Sequence, residues 1–317
     1  MNKTVRQVVF PIIAAFIWGS AFLAQGMVTE SVQPFTFNAA RSLIAVILLF
    51  PLSLIIDFVK KKKSLQPVVN KAEKSDRASL FIGGAICGVI LFFATNLQQI
   101  AIGGNLDGSN SEGIVAFITA FYMVIVPVIG LFFGKKNKLN IWISVIIGIV
   151  GLYFVCVDGT LKINSYNLFA LGCAFSFAFH IIAVDVYSNK VDCIKLSCVQ
   201  FAVNFVISVT LAIIFETIDL KAIFDSILPI LYVGAISSTI AYTLQIAAQK
   251  GTNPTVVSLL MCLESVFALL CQMALAVFYP DKWSFLTPMQ YVGCGIMFLA
   301  VVLAQVDVFS VFKEKKT

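Results

Sequence analysis

FIGGAICGVILFFATNLQ, residues 81–98, carries no charged side chain, and its amide and hydroxyl groups, Thr95, Asn96 and Gln98, all fall at its far end. It belongs to an apolar run from about 78 to 100. At 1.5 Å per residue, about 20 such residues cross the hydrocarbon core of a bilayer as a helix. The run lacks the two-residue alternation of a barrel strand, and only a helix pairs every backbone group within one segment. The same reading extends outward to nine more stretches, at about 7–27, 34–59, 111–133, 141–157, 167–187, 194–215, 225–249, 254–277 and 288–306. The expected fold is therefore an all-α integral membrane protein with ten transmembrane helices.

Composition agrees with this. Of the 317 residues, 60% are hydrophobic and 12% charged, against about 45–50% and about 25% in soluble domains. Too few charges remain to cover a water-facing surface, which excludes soluble enzymes, disordered chains and nucleic-acid binders. The net charge of +6 is explained by position. With the N-terminus inside, 18 of the 22 basic residues fall in inner segments, Lys60 to Lys63 among them, and only Lys162, Lys221 and Lys282 lie outside. Such asymmetry marks cytoplasmic loops, so both termini are expected in the cytoplasm. The eight cysteines lie mostly in apolar runs, with no CxxC pair, and read as small buried hydrophobes. The first run, Val8 to Val28, is read as a retained helix rather than a signal peptide because of its length and the spans that follow.

An internal repeat organises the ten helices. Trp18 matches Phe177, and Arg41 matches Gln200, at an offset of 159. Ala94-Thr-Asn-Leu-Gln98 matches Ala241-Tyr-Thr-Leu-Gln245 at 147. Ala120-Phe-Tyr122 matches Cys262-Leu-Glu264 at 142, and Gly148 matches Gly293 at 145. Five helices are repeated once, in residues 1–157 and 158–317. Five is odd, so the second set runs through the membrane in the opposite sense, an arrangement common in transporters.

Trp18-Gly-Ser-Ala-Phe22, Arg41, Tyr232-Val-Gly-Ala-Ile-Ser-Ser-Thr-Ile-Ala-Tyr242 running to Gln249, and Asn253-Pro254 leading to Leu263-Glu264 resemble the drug/metabolite transporter superfamily, EamA type. The resemblance covers nearly the whole chain. Departures are Ser265, where many members carry Pro, and Gly134-Lys135-Lys136 in place of Gly-Glu-Arg. The resemblance implies two inverted five-helix repeats around a central cavity that opens alternately to each side.

Ionisable groups within spans are costly, which makes each a functional candidate. Glu264 is expected near the midplane, as a contact for a substrate ammonium, a proton carrier, or a hydrogen bond between helices. Arg41 could hold a substrate carboxylate through its fork of donors, or snorkel outward or pair with Glu112. Asp185 is expected to reach water or Lys190. His180, the single histidine, cannot build a His-based metal site and is either pore-lining or a satisfied polar group. Trp18, Asn96, Gln98, Tyr122, Tyr242 and Gln245 fall on helices that, by resemblance, surround the cavity. Aromatic faces and a few amides suit such a site, the alternative being packing and interhelical hydrogen bonds. Pro127 and Pro229 are candidate helix breaks.

HExxH, GxSxG and DDxxD are all missing, so an intramembrane enzyme is the weaker alternative, as is a channel-like facilitator. The expected function is a secondary transporter of the cytoplasmic membrane, exporting a small metabolite such as an amino acid or a related neutral or zwitterionic amphiphile. It is not expected to be an enzyme or to bind a cofactor, metal or nucleic acid. The expected partners are its substrate and the lipid bilayer, with proton coupling through Glu264 or His180, in a monomer or weak dimer.

Overall fold

The computed structural model describes residues 5–63, 71–104, 111–134, 137–156, 165–279 and 285–305, and every regular element among them is helical. After a π-turn at Val5–Val9 come α1 (Phe10–Thr29), α2 (Pro34–Lys63) and α3 (Lys71–Gly103). Next are α4 (Ser111–Thr119), α5 (Tyr122–Phe132), α6 (Leu139–Cys156), α7 (Tyr166–Ser188) and α8 (Cys193–Phe215). The chain continues through α9 (Leu220–Asp225), α10 (Ile227–Tyr232), a π-helical stretch (Val233–Ala241) and α11 (Tyr242–Gln249). It ends with α12 (Pro254–Met261), α13 (Leu263–Phe278) and α14 (Pro288–Gln305). Among the described residues, eight helical spans are long and apolar enough to cross a membrane, and two shorter apolar helices, Leu139–Val155 and Pro288–Ala304, occupy the fifth and tenth places.

Helix starts follow local chemistry. Pro254 sits in the first turn of α12, where a missing N–H costs nothing. Asp192 caps α8 by accepting from the backbone of Ile194 and Lys195, and Asn253 caps α12 by accepting from Thr255.

The expected fourth and ninth helices are each broken, and the breaks do not fall at proline. One lies at Ala120–Phe121, between α4 and α5, and the other at Cys262, between α12 and α13. At the first, Phe121 N–H bonds Ile118 O and Met123 N–H bonds Ala120 O; at the second, Ser265 N–H bonds Cys262 O, so both tighten to three-residue spacing. Pro127 lies inside α5, whereas Pro229 stands in the first turn of α10, just after the interruption at Ser226 between α9 and α10. The two breaks face one another, with Cys262 Sγ donating to Ala120 O at 3.6 Å.

Helices matched by the sequence offsets pack together: α2 against α8, and α6 against α14. The first pair is pinned at both ends. The Glu216 carboxylate accepts from Phe35 N–H and Thr36 N–H, both at 2.7 Å, and Lys195 Nζ meets Asp57 Oδ1, also at 2.7 Å. Close approach elsewhere depends on glycine. A Cβ on Gly19 would lie 2.6 Å from Glu264 O, and one on Gly293 would lie 2.6 Å from Val155 N. Large apolar side chains such as Phe50, Phe58, Phe132, Phe215 and Phe278 point outward, fully consistent with a lipid-facing belt.

Candidate functional site

A central cavity lies where α1, α5, α7, α11 and α13 converge, with α2, α3, the π-helical stretch and α12 each adding one residue to its wall. The space between its side chains, counted with the part that opens to solvent, is about 440 Å³. Its lining comes largely in offset pairs. Trp18 and Phe177 both line it, as do Phe22 and Ile181, Gln98 and Gln245, and Tyr122 and Glu264. Arg41, Gln25, Ser237, Tyr242 and Met261 complete the wall.

The helix breaks place the central pair. Tyr122 opens α5 and Glu264 lies in the first turn of α13, so both project from the point where their helices interrupt. The Tyr122 hydroxyl donates to Glu264 Oε1 at 3.1 Å. Among the described residues the second carboxylate oxygen has no hydrogen-bond partner. Trp18 meets Tyr242 edge to face at 4.9 Å between centroids, and Tyr242 is backed by Phe201 at 5.3 Å. These rings form an aromatic wall. Trp18 Nε1 and Gln245 Oε1 are buried without partners.

Arg41 neither snorkels outward nor is held by an acid among the described residues; Glu112, its other expected partner, has a side chain outside them. The guanidinium is 2% exposed and turns inward. Nε donates to Ser238 Oγ at 2.9 Å, Nη1 to Gln25 Oε1 at 3.4 Å and Nη2 to Ser237 Oγ at 3.5 Å. The two serines reach it together because the π-helical stretch Val233–Ala241 inserts an extra residue into the turn; Thr239 Oγ1 correspondingly bonds Gly234 O, five residues back.

Two expected lining residues stand elsewhere. Asn96 is buried among helices: its Nδ2 donates to Phe92 O at 2.9 Å and Ser208 Oγ at 3.3 Å, and its Oδ1 accepts from Asn38 at 3.2 Å. His180 shares a hydrogen bond of 3.0 Å with Gln200 between α7 and α8, and its ring lies 6.1 Å behind that of Tyr242. It braces the wall without forming it. Asp185 is half-buried on α7, outside the cavity. Sequence reasoning missed Gln25 and Ser237; the position of Gln25, seven residues after Trp18 and so on the same helix face, was the available signal. Among the described residues, no group of three or more His, Cys, Asp or Glu side chains could hold a metal ion.

Comparison with known proteins places this cavity in context. Over 298 residues the chain is 26% identical to an uncharacterized transporter of Archaeoglobus fulgidus, covering 93% of this chain and 84% of that protein. A solved crystal structure shares the fold with a TM-score of 0.72 at 15% identity, covering 96% of this chain and 97% of the other. The model of the EamA-like transporter family matches twice, over residues 6–157 and again over 164–305. With both halves matched and apolar helices throughout, the chain is a multi-pass membrane protein that belongs to the EamA-like transporter family.

Proposed function

We propose that the chain is a secondary transporter that exports a small neutral or zwitterionic metabolite, such as an amino acid, across the cytoplasmic membrane by alternating access. It does so without enzymatic chemistry, and its ten helices form two inverted five-helix repeats with both termini in the cytoplasm. The observation that carries this is the lining of the cavity by offset pairs. A site that must face each side in turn needs equivalent walls from two halves of opposite sense, and Gln98 with Gln245, and Tyr122 with Glu264, supply them. The double match of the family model supports the duplication. The breaks at Ala120–Phe121 and Cys262 support motion about their crossing, since interrupted helices in transporters bring polar groups to the substrate.

Proton coupling is assigned to Glu264 rather than His180, because Glu264 lines the cavity and His180 does not. The test has two parts. Single cysteines at Gln98 and Gln245, in a background lacking native thiols, should react with a membrane-impermeant maleimide from opposite sides of oriented vesicles. Labelling of both from one side only sinks the inverted-repeat reading. A metabolite that raises the melting temperature of the purified protein should then exchange by counterflow in liposomes, and Glu264→Gln should abolish its response to an imposed proton gradient while His180→Gln retains it.

A further inference from the structure

The geometry points to Arg41, with Ser237 beside it in the cavity wall and Ser238 holding it in place, as an oxyanion receptor that binds the carboxylate of the substrate, leaving its amine to Glu264. This rests on the reading of the cavity as the substrate site. Arg41 offers five N–H donors, and its hydrogen bonds, at 2.9, 3.4 and 3.5 Å, all go to neutral oxygens. Two donors thus have no protein acceptor, and two of the three bonds made are at the long limit of a hydrogen bond. No carboxylate among the described residues lies within ion-pairing distance of the guanidinium.

A buried cation without its counter-ion is destabilising, and an arginine serving structure alone would be expected to bring an acid. Instead the fold directs two hydroxyls at it. The π-helical stretch sets consecutive serines against one guanidinium, and each hydroxyl that accepts from Arg41 keeps its own proton free to donate. A guanidinium beside a hydroxyl donor in the cavity wall, Ser237, fits a carboxylate, which takes parallel hydrogen bonds from the planar fork, while Ser238, outside the lining, holds the fork in place. At the Glu264 end, the carboxylate oxygen left free by Tyr122 faces the same cavity, beside the Trp18 and Tyr242 rings that favour a cation. The cavity is therefore dipolar, and the ligand that neutralises both ends is a zwitterion with a carboxylate and an amine.

The test uses the purified full chain and three probes of one shape: leucine, 3-methylbutylamine, which lacks the carboxylate, and 4-methylpentanoate, which lacks the amine. Calorimetry should show leucine binding and the amine binding at least about tenfold more weakly. Arg41→Gln should lose 4-methylpentanoate, Arg41→Lys should restore part of it, and Glu264→Gln should keep it. The proposal is overturned if the amine binds as tightly as leucine, if none of the three probes binds, or if a folded Arg41→Gln binds leucine unchanged. The comparison of probes on the unaltered chain decides the matter even where Arg41→Gln does not fold. Binding is read without transport, so the two readings fail separately. Leucine held by Arg41 but never exchanged in liposomes would end the transporter reading and leave this one standing, and exchange of a molecule without a carboxylate would do the reverse.

Discussion

Replacing Gly19 by alanine tests how tightly α1 must lie on α13. The added Cβ would meet Glu264 O at 2.6 Å, Ala268 N at 2.7 Å and Phe267 Cβ at 2.8 Å. Ordinary contact begins at 3.4 Å, so the shortfall is 0.8 Å against backbone atoms of a packed helix, which cannot rotate away. Overpacking of this kind costs about 1–3 kcal/mol. Alanine also gains about 1 kcal/mol of helix propensity over glycine, and Gly295→Ala supplies the reference for that gain, because a Cβ there meets nothing within 4 Å. The difference between the two variants isolates the clash. At roughly 2–4 °C per kcal/mol, Gly19→Ala in detergent should melt several degrees below Gly295→Ala. It should also lose counterflow, since Trp18 and Glu264 flank the displaced contact. Equal melting temperatures for the two variants would refute the packing argument.

Two further outcomes follow from the same geometry. Cysteine at Gln98 should react with a small thiol reagent, whereas cysteine at Asn96, two residues away but held by Asn38, Phe92 and Ser208, should stay unlabelled in the folded protein; equal labelling would place both in the cavity. The Lys195–Asp57 pair has side chains 33% and 48% exposed, so a double-mutant cycle should return about 0–1 kcal/mol of coupling, lost in high salt, and a larger value would mean that this end of the α2–α8 pair is drier than its exposure indicates.

The spans were legible because an uncharged run of about 20 residues admits few alternatives in a bilayer. Trp18, Gln98, Tyr122, Tyr242, Gln245, Glu264 and Arg41 could be picked out because polar and ionisable groups are rare within such runs, and the structure brings all seven to one cavity. Asn96 was picked on the same ground and does not join them. A helix turns about 100° per residue, so Asn96 and Gln98 point some 200° apart on α3 and cannot both face one cavity; that constraint was in the sequence. His180 was harder to place, since α7 carries apolar residues on every face, the exposed Leu168, Phe175 and Phe179 as well as the buried Ala174, Ala178 and Ile181, so no single apolar stripe in the sequence fixes its facing. The breaks at Ala120–Phe121 and Cys262 left no local signature, because no proline or glycine stands at either. They arise where two helices cross at their interruptions, a contact between segments 142 residues apart. The π-helical stretch was equally silent, although it decides what surrounds Arg41.

Amides sort the buried polar groups into those spent on the fold and those held for a ligand. Gln99 donates to Thr29 Oγ1 at 3.0 Å, and Gln249 donates to Ile181 O at 2.8 Å, each tying two helices together. Gln98 and Gln245 are as buried, at 7% and 1% exposure, yet neither side chain bonds to protein among the described residues. A buried amide left unpaired costs about 1–3 kcal/mol, whereas a hydrogen bond that is made contributes about 0.5–1.5 kcal/mol. Leucine is apolar and of comparable bulk, so Gln98→Leu and Gln245→Leu should raise the melting temperature while reducing counterflow, the trade expected where a site is kept polar at the expense of stability. Gln99→Leu and Gln249→Leu should instead lower it. If all four variants shifted stability in the same direction, the free amides would be ordinary helix contacts, and the cavity would lose its claim to be built around a polar ligand.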